Sequence, residues 1–108
     1  MHQTKPAGMR ELLFSISKLE LIGQGEALVG GRCCGDMIYQ GDAATRMVLL
    51  ELGERVLVSR EILIQFRRIQ MYGREVDRIE PGWTAGIVIP DVLAADLKLT
   101  WTLAGENA

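Results

Sequence analysis

Between Gly23 and Asp42 the chain reads GQGEALVGGRCCGDMIYQGD, with glycine turns bracketing short apolar alternations. Gly23-Gln24-Gly25 is a tight-turn signal, because glycine enters positive φ without a Cβ clash. After it, Ala27, Val29, Gly31 and Cys33 fall on one side of an alternating strand. Glu26, Leu28, Gly30 and Arg32 fall on the other. Adjacent glycines weaken an ordinary strand, so Gly30 and Gly31 fit a place where a strand bends sharply or another backbone comes close. Gly35-Asp36 and Gly41-Asp42 add two further turns.

The flanking segments repeat this grammar. Leu12, Phe14 and Ile16 alternate, then Leu19 and Leu21 alternate in the opposite phase, which predicts a strand over Arg10 to Ile22 with a β-bulge near Ser17 and Lys18. A helical reading of MRELLFSISKLELI competes, since Leu12, Ile16 and Leu19 share a helical face. Met47 to Leu50 and Arg55 to Val58 flank Gly53-Glu54 as a hairpin. Ile62, Ile64 and Phe66 are expected inside, with Ile69 and Met71 taking over the apolar face after Arg67-Arg68. Val76 and Ile79 are expected to tuck inward before Pro81-Gly82. WTAGIVI, from Trp83 to Ile89, reads as a strand with Gly86 as a close-approach position. Asp91 is expected to cap a helical turn over Val92 to Ala95, and Leu97, Leu99, Trp101 and Leu103 alternate as a last strand.

Six or seven short strands with almost no helix predict an all-β fold. Among its forms a small closed antiparallel β-barrel is favoured, because the glycines and phase slips supply corners. A chain of 108 residues makes one domain. It is expected to span residues 10–104, between a loose tail at 1–9 and a loose end at 105–108.

Composition narrows the function. Lys plus Arg total 12 against 14 for Asp plus Glu, a net charge of -2, which argues against broad charge-driven wrapping of nucleic acid. The single histidine, His2, and the adjacent pair Cys33 and Cys34 cannot furnish a four-ligand metal site. Alternation places one thiol inside and one outside. Neither a secretory leader nor an apolar run of membrane length is present in the sequence, so the expected compartment is a reducing cytoplasm.

GQGEALVGGRCCGDMIYQGD resembles the opening of the second domain of translational GTPases, the elongation factor Tu domain 2 family, through Gly23, Gly25, Gly31, Arg32, Gly35, Gly41 and Asp42. RRIQMYGREVDRIEPGWTAGIVI is similar to a later segment of that family through Ile69, Gln70, Gly73, Val76, Gly82 and Gly86. The resemblance implies a six-stranded antiparallel barrel, here free-standing, since no G-x-x-x-x-G-K-[ST] phosphate loop occurs in the chain. The places that would hold an aminoacylated tRNA end fall on Ile16, Ser17, Gly30 and Thr84, which lack the required carboxylates and amide. Asp42 to Arg67 is longer than the family usually has, which implies an extended hairpin.

Arg60, Arg67, Arg68, Arg74 and Arg78 form the one concentrated basic region and are the candidate nucleic-acid contacts. The competing reading is a solvated face neutralised by Glu61, Glu75, Asp77 and Glu80. Trp83 and Trp101 read either as a ligand-stacking pair or as fillers of the core end. Asp42, Asp91 and Asp96 lack a partner base, and Ser15, Ser17, Ser59 and the cysteines lack a usable histidine. No catalytic residue, cofactor or small-molecule substrate is therefore assigned. The apolar load of MVLLEL and VLVSREILI predicts a protein-binding or self-associating module, with an RNA- or ribosome-associated accessory protein as the alternative.

Overall fold

The computed structural model describes residues 8–52 and 54–108. Residues 1–7 of the expected tail, and Gly53 of the hairpin turn, lie outside the described residues. Ten strands and one short helix follow in order. They are β1 (Arg10–Gly23), β2 (Glu26–Cys33), β3 (Ile38–Tyr39), β4 (Ala43–Glu51), β5 (Arg55–Gln65), β6 (Arg68–Met71), β7 (Arg74–Val76), β8 (Arg78–Ile79), β9 (Thr84–Pro90), α1 (Asp91–Ala94) and β10 (Thr102–Asn107). Eight strands form one sheet in the order β5-β4-β10-β1-β2-β9-β6-β7, and β3 pairs with β8 separately. Every ladder is antiparallel.

The expected closed barrel of six or seven strands is not what forms. The sheet begins at β5 and ends at β7, and no ladder joins the two. The reason lies in how β6 is used. Both of its edges are occupied, by β9 and by β7, so neither is left for β5. The chain passes from β5 to β6 through Phe66 and Arg67 alone, so the two regions meet by a covalent corner instead of backbone pairing. Phe66 donates its N–H to Asp42 O at 2.8 Å and its carbonyl accepts from Gly41 N–H at 2.9 Å, which fixes that corner against the start of β4.

The open sheet still encloses a core. Phe14 on β1, Phe66 at the corner, Ile16, Val29, Ile64, Ile69, Ile87 and Leu103 belong to a single buried cluster. Phe14 meets Phe66 edge to face, with centroids 5.5 Å apart and planes at 90°. Strands three places apart in the sheet order touch only if the sheet coils over, because neighbouring strands are spaced by about 4.8 Å.

Several local expectations hold. β1 is a strand and not a helix, because its alternating residues Leu12, Phe14 and Ile16 are buried while Glu11 and Ser17 are exposed. Its register slips between Ile16 and Lys18, at the expected bulge. Cys33 is buried and Cys34 exposed. Ile64, Phe66, Ile69 and Ile79 are buried, with Ile62, Met71 and Val76 packed against them.

Three expectations toward the C-terminus do not hold. The last strand starts at Thr102, because residues 97–101 are taken up by turns. Leu97 N–H bonds to Ala94 O, Trp101 N–H to Lys98 O, and Thr100 adopts φ 72°. Gly105, Glu106 and Asn107, expected to trail, are strand residues that pair with Leu12, Glu11 and Arg10. Asp91 is not the cap of α1. Pro90 occupies the N-cap without a side-chain hydrogen bond, and Asp91 sits in the first turn.

The glycine pair is where sequence and packing meet most tightly. A Cβ on Gly31 would lie 2.3 Å from Ser15 O and 2.6 Å from Phe14 Cε2. One on Gly86 would lie 2.7 Å from Leu28 Cδ1, the end of a side chain that can swing away. We therefore expect Gly31→Ala to cost about 1–3 kcal/mol in urea unfolding through overpacking, and Gly86→Ala to cost less. Equal losses at the two sites would contradict this account.

Candidate functional site

β4 and β5 form the long hairpin that the sequence implied. Leu49 lies opposite Val58, Leu50 opposite Val56, and Glu51 opposite Arg55. β4 is covered on its other side by β10. β5 is not: it is the first strand of the sheet, and among the described residues no backbone hydrogen bond joins 55–65 to anything but β4. An edge strand of eleven residues thus leaves a row of unpaired N–H and C=O groups.

The side chains of this ribbon are apolar without being covered. Leu52 at the tip is 96% exposed, Val56 54%, Leu57 50% and Leu63 57%, and Val58 is exposed too. Single exposed apolar residues are ordinary on a protein surface, whereas five on one hairpin are a patch. The β5 ladder also contains two irregularities. Leu57 has no partner on β4, and Ile62 and Leu63 have none, so β5 carries the extra residues of two bulges.

Where the sheet fails to close, a cleft of about 490 Å³ opens between the end of β5 and the end of β9. Leu63, Gln65 and Arg67 line one side, and Val88, Pro90 and Leu93 the other. A second recess, beside Met47, lies between Arg60–Ile62 and residues 95–98. β5 therefore borders two depressions, and the cleft nearer Arg67 is the more apolar.

The five candidate arginines are spread over four elements and the corner. Arg60, on β5, lies over the ring of Trp101 at 5.4 Å. Arg68, on β6, is held by Glu26 at 2.7 Å and by Glu75 at 3.4 Å. Arg78, on β8, is within 3.9 Å of Asp77 and 4.0 Å of Glu80. Arg67, at the corner, reaches the cleft, and its carbonyl accepts from Gln40 Nε2 at 2.6 Å. Arg74 is exposed on β7. Trp83 and Trp101 do not form a stacking pair. Trp101 packs against the core under Arg60, and Trp83 precedes β9, half exposed.

The residue that sequence reasoning passed over is Arg10. Its guanidinium bonds both carboxylate oxygens of Asp42, at 2.5 and 2.9 Å, and the carbonyl of Met37 at 2.8 Å. It also lies over the Tyr39 ring at 4.7 Å. Asp42 Oδ2 accepts a further bond from Tyr39 N–H at 2.8 Å. The Asp42 hydrogen bond raises the Arg10 pKa further, so the guanidinium stays charged. Asp42, weighed in sequence as a lone carboxylate, is thus a structural anchor joining β1 to β3 and β4. An Arg at the start of one strand and an Asp after a glycine turn carry no spacing signal that would have revealed it. A second pair, Arg46 with Glu106 at 2.6 Å, ties β4 to β10 and holds the Glu106 pKa below its usual value through the Arg46 hydrogen bond.

Among the described residues no group of three or more His, Cys, Asp or Glu is gathered to hold a metal ion. Burial pushes the Cys33 thiol pKa up, opposite to what a nucleophile needs. No helix among the described residues is long and apolar enough to cross a membrane. Neither a comparison with protein-family models nor one with curated proteins finds a match.

Two outcomes test this assignment. Asp42→Asn, which leaves Arg10 without its charged partner, is expected to cost on the order of 2 kcal/mol in urea unfolding. A loss within error of zero would remove Asp42 as an anchor. A thiol reagent should modify one cysteine of the native protein quickly, and Cys34→Ser should abolish that fast phase while Cys33 reacts only on unfolding. Two fast thiols would contradict the burial described.

Proposed function

We propose that this chain is a non-enzymatic binding module that docks another protein, or a further copy of itself, on the β4–β5 hairpin and the free edge of β5. One observation carries the reading. An eleven-residue edge strand combines an unpaired backbone with exposed Val56, Leu57, Val58 and Leu63, and Leu52 projects at the hairpin tip. A strand or apolar segment from a partner would satisfy both features at once, through main-chain hydrogen bonds and side-chain burial.

Kinship with the second domain of translational GTPases is part of the same proposal and rests on the glycine-punctuated stretches. It supports a module that holds a partner by its surface. A reducing cytoplasm suits the exposed Cys34. The RNA-contacting alternative draws on Arg67 and Arg74, which have no carboxylate partner among the described residues. It predicts binding of structured RNA that weakens steeply with salt and is lost in Arg67→Glu/Arg74→Glu.

Tagged and untagged chains, co-expressed and purified through the tag, provide the principal test. The wild type is expected to retain a stoichiometric companion, either the untagged chain or another protein. Val56→Asp/Leu57→Asp should release it while leaving circular dichroism unchanged, since both side chains are exposed. A companion retained equally by the variant would overturn the hairpin as the docking surface.

A further inference from the structure

Resting on that reading, we propose that the occupant of β5 is a second copy of the chain, laid antiparallel along it about a two-fold axis near Arg60. In such an arrangement the same surface serves both copies, and each residue before the axis meets one equally far beyond it.

The pattern of β5 is suited to this pairing. Leu57, three residues before Arg60, faces Leu63, three after, and Val58 faces Ile62. Leu57 and Leu63 are also the exposed residues that the two bulges leave unmatched on β4. Bulges normally blunt an edge, because a straight strand cannot follow the bent backbone. A two-fold copy presents its own bulge wherever it meets one, so the distortion that turns away other strands is matched.

The same axis brings the hairpin tip to the cleft. Glu54 precedes Arg60 by six residues and Phe66 follows it by six, about 20 Å along the strand in each direction. The tip of one copy therefore reaches the corner of the other. Leu52 is the most exposed apolar residue of the ribbon, and an apolar cleft waits there between Leu63 and Leu93. The charges of tip and cleft rim also match. The tip carries Glu51 and Glu54, and among the described residues only Glu51 has a nearby cation, Arg55 at 3.7 Å. The rim of the cleft carries Arg67. Each copy offers an acidic tip and a basic rim, so a symmetric pair forms the contact twice.

The test uses the full chain in a Cys34→Ser background. Light scattering should give twice the 12.0 kDa chain mass at micromolar concentration. Glu54→Arg and Arg67→Glu should each weaken dimerisation about tenfold, as loss of an interfacial charge pair does, and the two together in one chain should restore it. Leu57→Cys mixed with Leu63→Cys should form a covalent dimer on mild oxidation, because facing Cβ atoms lie within disulfide range. Either variant alone should cross-link far less. Monomers at roughly millimolar concentration, equal cross-linking by each single variant, or a double charge swap that fails to restore dimers would each overturn the proposal. If the protein is monomeric but Val56→Asp/Leu57→Asp still strips off a different protein, this inference falls and the binding-module reading stands. If no companion depends on the hairpin, both fall.

Discussion

The ring of Phe14 lies against the bare backbone of Gly31 and meets Phe66 edge-on, and the coiling of the sheet depends on that contact. Phe14 belongs to β1, at the middle of the sheet, and Phe66 to the corner that leaves β5, at its end. Without a Cβ at position 31 the ring can sink to the depth at which it reaches Phe66. A methyl group there would collide with Ser15 O as well as with the ring, so neither backbone nor side chain could yield alone. Large aromatic faces contribute the most apolar burial per residue, which makes this pair the natural keystone of a cluster whose other fully buried members are smaller aliphatic and sulfur-bearing side chains.

A second constraint acts at the start of β1. Arg10 and Asp42 join the first strand to the turn that precedes β4, and Tyr39 closes over the guanidinium. Asp42 is 8% exposed, and its carboxylate is satisfied by three hydrogen bonds, two from Arg10 and one from Tyr39 N–H. The Phe66 backbone bonds to residues Gly41 and Asp42 next door. The polar anchor and the aromatic contact therefore fix the same corner from two sides, one by direction and one by volume.

Local structure was legible in the sequence wherever the signal was itself local. The slip at Ser17, the opposite burial of Cys33 and Cys34, and the close approaches at Gly31 and Gly86 follow from alternation and from what glycine permits. What failed depends on relations between distant residues. Phase slips and glycines announce that strands bend, but they do not say which edges pair. Closure was lost because β7 took the edge of β6 that a ring would have needed, and a three-residue strand with charged Arg74 and Glu75 gives no warning of that. The late start of β10 is similar: Leu97, Leu99 and Trp101 alternate correctly, yet a left-handed Thr100 and two turns interrupt them. Of the candidate site, the surplus of apolar residues in β4 and β5 was visible, since no small core could absorb it. The arginines are close in sequence and fall on separate elements, and three of the five lie beside a carboxylate or an aromatic ring that no spacing announces.

An open sheet has two ends, and this one treats them differently. β7 is three residues long, charged, and followed at once by β8, which pairs elsewhere, so it offers little to pair with. β5 is nearly four times as long and apolar, and bulges are its main protection. Lysine, proline and brevity, the usual means of silencing an edge, are all missing from RVLVSREILIQ. A strand kept long and apolar carries a standing risk of indiscriminate aggregation. Two bulges spaced about a common centre reduce that risk without closing the edge: they exclude straight strands and leave it open to a partner bent in the same places.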